Sequence, residues 1–208
     1  MHSYSIDGSR PKISGFIMLA AIVIANLVNY LLSIIDGRVP FTVESVSASV
    51  FLSFSILLWV FNNYLWKWPI TRRFSGVPNI EGQWVGPLDS SYNSSNGNGP
   101  MRPTFTIHQK WSEIEVDGDF SKSISESTSA SFVTDKGRPQ LIFTYRNYPR
   151  DSSSNRRSHE GTNTLRYMTD SSGNELLQGE YYTDQERNNH GTMELRRAEE
   201  VDDCFKDE

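Results

Sequence analysis

The amino-acid sequence predicts an all-β fold, an eight-stranded antiparallel up-and-down β-barrel, preceded by an N-terminal hairpin of two transmembrane helices. Two observations carry this prediction. Residues 13–35 and 46–66 contain no charged side chain, whereas most of the later chain alternates between apolar and polar residues with a period of two. The net charge of −5 and the mean hydropathy of −0.48 therefore average over two very different parts.

The two uncharged runs are long enough to cross a bilayer. They contain 23 and 21 residues, and a helix needs about 20 apolar residues to span the hydrocarbon core. A pair of buried helices in a soluble protein is the first alternative, but such helices are rarely uncharged on every face. A cleaved signal peptide is the second, but the first run is too long and lacks a small-x-small cleavage site. We therefore predict two transmembrane helices.

The flanks of these runs predict their orientation. The connector Asp36–Pro40 is short, which makes the pair a hairpin, and Pro69 is expected to end the second helix because proline has no N–H to donate. Basic side chains concentrate at the outer ends, at Arg10, Lys12, Lys67, Arg72 and Arg73, while the connector has only Arg38. The positive-inside rule then predicts a multi-pass membrane protein with both termini in the cytoplasm.

Small and polar residues recur along one face of each predicted helix. Every fourth position of the first helix is small or polar at Ala21, Ala25 and Asn29, and the second helix repeats this with Ser49 and Ser53. Such residues let helix backbones approach closely in lipid. Two interpretations stay open: the hairpin packs on itself through these faces, or different protomers meet there.

The later chain contains eight alternating segments separated by turn clusters such as Asp117-Gly118 and Ser172-Gly173-Asn174. No segment with helical periodicity intervenes, so the strands should follow one another as an antiparallel meander. The predicted strands are 80–86, 104–109, 111–120, 123–134, 141–148, 159–168, 175–183 and 192–197. The predicted divisions are the hairpin 1–70, a linker 71–79, the cytoplasmic barrel 80–200 and an acidic tail 201–208.

The first strand begins with Gly82-x-Trp84, which resembles the opening of lipocalin-like barrels, where a tryptophan closes one end. An eight-stranded barrel is just wide enough to hold one small ligand. Two Ser/Asn/Gly-rich segments, 90–100 and 149–158, are too polar to pack and are predicted to be loops.

Catalytic and metal-binding signatures are missing from the sequence, which has one cysteine, Cys204, and four scattered histidines. The alternating carboxylates Glu113, Glu115, Asp117 and Asp119 read as the solvated face of a strand rather than a calcium loop. We therefore expect no enzyme activity, no metal and no cofactor. A hydrolase using Glu180 or His108 stays a weaker alternative, and the acidic balance argues against binding DNA or RNA.

Tyrosines and arginines cluster on several predicted strands, and this combination suits a nucleotide. Aromatic rings stack on bases, and guanidinium groups pair with phosphates. Alternation puts Arg146 and Tyr148 on one face of their strand, with Tyr145 and Asn147 on the other. A structural network on the barrel surface explains the pattern equally well. The candidate ligand-binding residues are Trp84, Arg102, Tyr145, Arg146, Tyr148, Arg166, Tyr181, Tyr182 and Arg187.

The order of these features resembles one known family. Two membrane helices, a Trp/Lys/Pro/Arg juncture, and the segments Val77–Gly86, Gly179–Thr183 and Gly191–Arg196 are similar to the two-transmembrane β-barrel effectors of bacterial CBASS anti-phage systems, analogues of STING. The resemblance implies that the barrel binds a cyclic dinucleotide made by a CD-NTase enzyme and that the protein then forms homo-oligomers. It further implies that the helices disrupt the inner membrane, causing abortive infection. It assigns no contact residues.

A membrane-anchored, lipocalin-like barrel that binds a lipid or another apolar ligand is the alternative function. It requires an interior lined mostly by aliphatic side chains, whereas the strands offer Tyr, Thr, Arg and Asn. The sequence leaves open which cyclic nucleotide binds, how many protomers assemble, and whether damage occurs through a pore.

Overall fold

The computed structural model describes residues 1–6, 10–36, 43–92, 99–135, 138–150 and 158–199. Cys204, the predicted acidic tail, most of the predicted connector and the centres of both predicted loops lie outside these ranges. The chain divides into two compact units, residues 8–76 and residues 1–7 with 77–208. Each unit is described by itself below.

The helical unit contains three α-helices, α1 (Arg10–Asp36), α2 (Val43–Asn63) and α3 (Pro69–Ser75), with a 3₁₀ turn at Leu65–Lys67. Among the described residues, Arg10–Ile34 is long and apolar enough to cross a membrane, and the apolar stretch of α2, Ser47–Asn63, is shorter. Pro69 does not end α2 as expected. It is the first residue of α3, where a missing N–H costs nothing.

The face of small residues on α1 packs within the hairpin. Ala21 and Ala25 are fully buried, and Asn29 is almost so. Ser49 of α2 donates a hydrogen bond to Asn29 Oδ1 at 3.1 Å, and Ser53 is half-buried on the same helix. In this conformation the faces for which both interpretations were open are in contact inside one chain, because small side chains let α1 and α2 approach each other.

The second unit is a closed β-barrel. Its strands are β1 (His2–Ser3), β2 (Ser5–Ile6), β3 (Gly82–Val85), β4 (Leu88–Ser90), β5 (Thr104–Gln109), β6 (Glu113–Asp119), β7 (Ser123–Asp135), β8 (Arg138–Pro149), β9 (His159–Thr169), β10 (Glu175–Thr183) and β11 (His190–Arg197). The ring runs β3, β5, β6, β7, β8, β9, β10, β11 and returns to β3, with every neighbouring pair antiparallel. The predicted eight-stranded up-and-down barrel is confirmed.

Strands β1 and β2 complete the wall where the barrel closes. β6 pairs directly with β7 only over Asp117–Asp119. Elsewhere along these two strands the N-terminal segment is inserted, with β1 paired to β6 and β2 paired to β7. Tyr4 between them is 2% exposed and packs edge-on against Phe132 at 5.8 Å. This segment was predicted to belong to the hairpin. Two strands of two residues are too short to show a periodicity.

One end of the barrel is closed by Trp84, which is fully buried and donates from Nε1 to the carbonyl of Ile80 at 2.8 Å. The Arg197 guanidinium lies 4.7 Å above the indole and donates to the carbonyls of Asn79 and Glu81. Above this end, inward side chains form an apolar floor of Ile107, Ile114, Leu141, Leu165, Leu177 and Leu195. The polar part of the interior therefore lies towards the other end.

Candidate functional site

The other half of the barrel contains a cavity of about 500 Å³. This volume lies in the range of about 300–1,000 Å³ that is usual for small-molecule sites. Its lining comes from β4, β5 and β7 to β11 and from the turns between them. It includes Ser90, Arg102, Phe105, Phe120, Lys122, Ser125, Tyr145, Asn147, His159, Asn163, Tyr181 and Arg187.

Two tyrosines line this cavity from the strands on either side of β9. Tyr145 of β8 and Tyr181 of β10 are each less than a tenth exposed. Tyr181 donates its hydroxyl proton to Ser90 Oγ at 2.7 Å, which fixes its ring. Burial is the main cause that raises the pKa of both Tyr145 and Tyr181, so both keep their protons near neutral pH. Each presents an apolar ring and a neutral hydroxyl.

Gly161 of β9 makes room for the Tyr145 ring. It lies opposite Tyr145 in the register of β8 and β9, and a Cβ at this position would lie 2.6 Å from Tyr145 Cζ. A larger residue would push the ring into the cavity. The glycine therefore helps to set the shape of the site.

Three cationic side chains line the cavity, Arg102, Lys122 and Arg187. Arg187 also acts on His159, whose ring meets that of Tyr145 edge-on. Burial lowers the pKa of His159, and the charge of Arg187 lowers it further, while Asp184 acts in the opposite direction. The cavity thus offers local positive charge in a chain that is acidic overall.

At the cavity, Asn163 Oδ1 and His159 Nδ1 are buried and have no hydrogen-bond partner among the residues that the structure describes. Asn163 is 3% exposed and lies in register between Phe143 and Tyr181. Asn147, in contrast, donates from Nδ2 to Ser123 Oγ at 3.1 Å. Because buried polar groups are nearly always paired in folded proteins, the unpaired ones mark a place for a ligand or water.

Four of the nine predicted ligand-binding residues line this cavity: Arg102, Tyr145, Tyr181 and Arg187. They come from different segments, and closure of the barrel brings them together. The two that lie on strands, Tyr145 and Tyr181, occupy inward positions of the alternation. Only the four can contact a ligand in the cavity without a change of strand register.

The other five lie elsewhere. Trp84 closes the opposite end, and Arg146 faces outwards, where it forms an ion pair with Glu160. Tyr148 and Tyr182 are 41% and 54% exposed, and Arg166 lies in a shallow outer groove. Odd-numbered residues of β8, β9 and β10 point into the barrel, whereas Arg146, Tyr148, Arg166 and Tyr182 are even-numbered and point outwards. Being close in sequence to an inward residue therefore does not bring a side chain to the cavity.

Sequence reasoning missed Asn163, His159 and Lys122 as cavity residues. The sequence did contain a signal for Asn163, because it lies two residues before Leu165 on β9 and so points to the same face as this core residue. A polar side chain in phase with a buried leucine is a candidate for an interior site. Nothing comparable marked Lys122, which lies in the turn between β6 and β7.

The acidic residues of β6 lie on the outer side of the barrel, where Glu113, Glu115 and Asp117 are partly exposed. Within the described ranges, no group of three or more His, Cys, Asp or Glu could hold a metal ion. Glu180 and His108, the residues of the hydrolase alternative, are exposed and lie outside the cavity lining.

Comparison with known proteins connects this architecture to one family. A family model described as the Cap15 cyclic dinucleotide receptor domain matches residues 75–197, and one described as the Cap15 TM helices matches residues 11–67. A relative from Yersinia aleksiciae, called CD-NTase-associated protein 15, is 31% identical over 166 residues. The aligned region covers 79% of this chain and 76% of the relative.

Proposed function

This chain belongs to the Cap15 family of CBASS effectors, which combine transmembrane helices with a cyclic dinucleotide receptor domain, and we propose that its barrel cavity binds one cyclic dinucleotide as the activating signal. The observation that carries the proposal is the lining, which places two tyrosine rings and three cations around one cavity of suitable size. The protein acts as a receptor in this proposal, with no catalytic turnover and no cofactor.

The chemistry of the ligand matches that of the wall. A cyclic dinucleotide has two flat bases and two phosphodiester groups. Tyr145 and Tyr181 offer aromatic faces, and stacking of a base on an aromatic ring contributes about 1–3 kcal/mol. Arg102 and Arg187 offer guanidinium groups, which form the strongest hydrogen bonds to phosphate oxygens. A few local cations suffice for this, so the acidic balance of the chain does not oppose it.

The helices carry the response in this proposal. Both membrane-spanning segments stay in the bacterial inner membrane, with both termini and the barrel in the cytoplasm, where the nucleotide is made. Ligand binding favours assembly of protomers, and assembly raises the local concentration of hairpins already held in the bilayer. The assembled helices disrupt the membrane and cause abortive infection.

The lipid alternative fits the cavity less well. An apolar ligand requires an aliphatic wall, and the structure puts six buried aliphatic residues in the filled floor of the barrel: Ile107, Ile114, Leu141, Leu165, Leu177 and Leu195. The cavity keeps some apolar side chains, among them Leu88, Phe105 and Met193, but its lining also includes Ser, Asn, Tyr and cationic side chains. Binding a hydrocarbon there would remove those polar groups from water without giving them partners.

The direct test is calorimetry on the full chain in lipid nanodiscs with a panel of cyclic dinucleotides. We expect one of them to bind, and Arg187→Gln to weaken that binding by about tenfold to a hundredfold, because a charge-assisted hydrogen bond is lost. Arg166→Gln is the matched control, since it removes the same charge from the outer groove. Absence of binding by every member at high micromolar concentration would refute the proposal.

A further inference from the structure

Asn163 lies at the boundary between the cavity and the apolar floor of the barrel. Its inward neighbours along β9 are Gly161, beside the Tyr145 ring, and Leu165, which is 1% exposed. Across the two neighbouring strands it faces Phe143 and Tyr181. The amide therefore has an aromatic residue on each neighbouring strand and a buried leucine below it, and it lines the cavity.

The Oδ1 atom of this amide is fully removed from solvent and has no hydrogen-bond partner in the described part of the chain. An unpaired buried amide is unfavourable for folding, and an apolar side chain of similar shape would be better tolerated. Asn163 therefore lowers the stability of the fold without forming a structural hydrogen bond, whereas Asn147 donates a hydrogen bond to Ser123. Such a cost is typical of residues kept for a ligand.

We infer that Asn163 reads the hydrogen-bonding edge of one base of the bound nucleotide and so determines which base the cavity accepts. The inference rests on the proposed function. An amide presents one donor and one acceptor side by side, which is the pattern that lets Asn pair with a base edge. Phosphate oxygens offer acceptors only and cannot satisfy Oδ1. The base enters against the floor beside the ring of Tyr181, and the phosphates stay near Arg102 and Arg187.

The cavity would then select among bases according to whether they can donate a hydrogen bond to Asn163 Oδ1. A base whose edge lacks a donor opposite Oδ1, or an apolar ligand, leaves that oxygen buried and unpaired. Sites built around such a group reject poorly matched ligands more strongly than purely apolar sites do. Affinities for ligands that differ in this edge should then differ by about tenfold to a hundredfold.

The test uses the full chain in lipid nanodiscs with the four symmetric cyclic dinucleotides of adenine, guanine, cytosine and uracil. For wild type we expect affinities that differ by at least about tenfold between the best and the worst ligand. Asn163→Leu should reduce affinity for the best ligand by at least about tenfold and bring the four affinities together. The same variant should have a higher melting temperature without ligand, because the unpaired amide is gone.

Two control variants separate this role from a structural one. Asn147→Leu removes a paired amide and should lower the melting temperature. Thr164→Val changes the next residue of β9, which faces outwards, and should change neither quantity. If Asn163→Leu does not fold, Asn163→Ala removes the amide without adding bulk and should show the same loss of selectivity.

Each outcome decides between the two ideas. Wild type that binds one of the four while both Asn163 variants bind all ligands within twofold of wild type overturns this inference and leaves the proposed function standing. A lower melting temperature for Asn163→Leu with unchanged selectivity makes Asn163 a structural residue and also overturns it. Wild type that binds none of the four, and none of the mixed cyclic dinucleotides tested beside them, overturns the proposed function, and the inference with it.

Discussion

His159 shows how a single residue at the cavity depends on its surroundings. Its ring is partly buried against Tyr145, and its Nδ1 has no hydrogen-bond partner in the described part of the chain. Burial, followed by the charge of Arg187, lowers the pKa of this imidazole below its usual 6.5, and Asp184 offsets part of the effect. The folded protein therefore disfavours the protonated ring, whereas the unfolded chain does not.

The first prediction concerns pH. In the window below about 6.5, the unfolded chain binds a proton at His159 that the folded chain does not, so the free energy of unfolding should fall as pH falls through that window. His159→Gln should flatten this part of the profile. The measurement is chemical denaturation between pH 5 and 7.5. His190→Gln, at an exposed ring, is the control, and an unchanged slope in His159→Gln would contradict the assignment.

A second prediction at the residue scale concerns Gly161. A methyl group there meets the Tyr145 ring and the Tyr182 carbonyl oxygen at 2.7 Å. Gly161→Ala should lower the free energy of unfolding by about 1–3 kcal/mol, the usual effect of overpacking, and weaken ligand binding by moving Tyr145 into the cavity. Gly99→Ala, where the added carbon meets no atom of the described residues within 4 Å apart from its chain neighbours, should change neither. Thermal denaturation and calorimetry together check both effects.

At the scale of elements, β7 shows why a strand cannot always be treated as two uniform faces. Its pairing with β8 shifts between Ser127 and Ser129. Odd positions such as Ser125 point inwards before this bulge, and even positions such as Phe132 do so after it. The bulge also lies where Ser127 Oγ meets His2 Nε2 at 2.8 Å, so the N-terminal strands dock beside an irregular part of the wall.

The third prediction tests this docking. Tyr4 is buried and contacts Phe132, and its hydroxyl donates to the carbonyl of Lys110 at 3.3 Å. Tyr4→Ala should therefore lower the free energy of unfolding by about 3 kcal/mol, as other large buried rings do when truncated. Tyr4→Phe keeps the ring and should cost about 1 kcal/mol or less. Equal effects of the two changes in denaturant titrations would mean that ring burial does not hold the segment.

At the scale of the whole molecule, the barrel unit takes residues from both sides of the helices in sequence. It contains residues 1–7 as well as 77–208. A fragment that begins at residue 77 therefore lacks β1 and β2. Deletion of residues 13–66 keeps both strands and removes the membrane-spanning segments, which makes it the better way to separate sensing from membrane damage.

The fourth prediction follows from this division. Removal of residues 13–66 should abolish toxicity in cells that produce the activating nucleotide, because no segment remains to disrupt the bilayer. Ligand affinity should stay within a few-fold of that of the full chain, since the cavity is built from the barrel unit. Growth curves and calorimetry measure the two effects. Toxicity that survives the deletion would show that killing does not require the helices.

Several elements could be read from the sequence because each depends on local pattern. Alternation marked all eight strands of the ring, and length with absence of charge marked the helices. Residues 2–6 could not be found this way, because their strands are stabilised by pairing with β6 and β7 and not by any preference of their own. The end of α2 was predicted a few residues too late, because proline is found both after the end of a helix and at its first positions, and Pro69 begins α3.

The sequence by itself determined that this chain has membrane-length helices, an eight-stranded meander and Tyr/Arg clusters suited to a nucleotide. Only the tertiary structure decided which side of each strand faces the barrel interior, putting Tyr145 inside and Arg146 outside. The physical reason is that a period of two divides a strand into two faces without saying which one is enclosed. Closure of the ring encloses one of them, and it brings Asn163, Tyr181 and Arg187 to one cavity from separate parts of the chain.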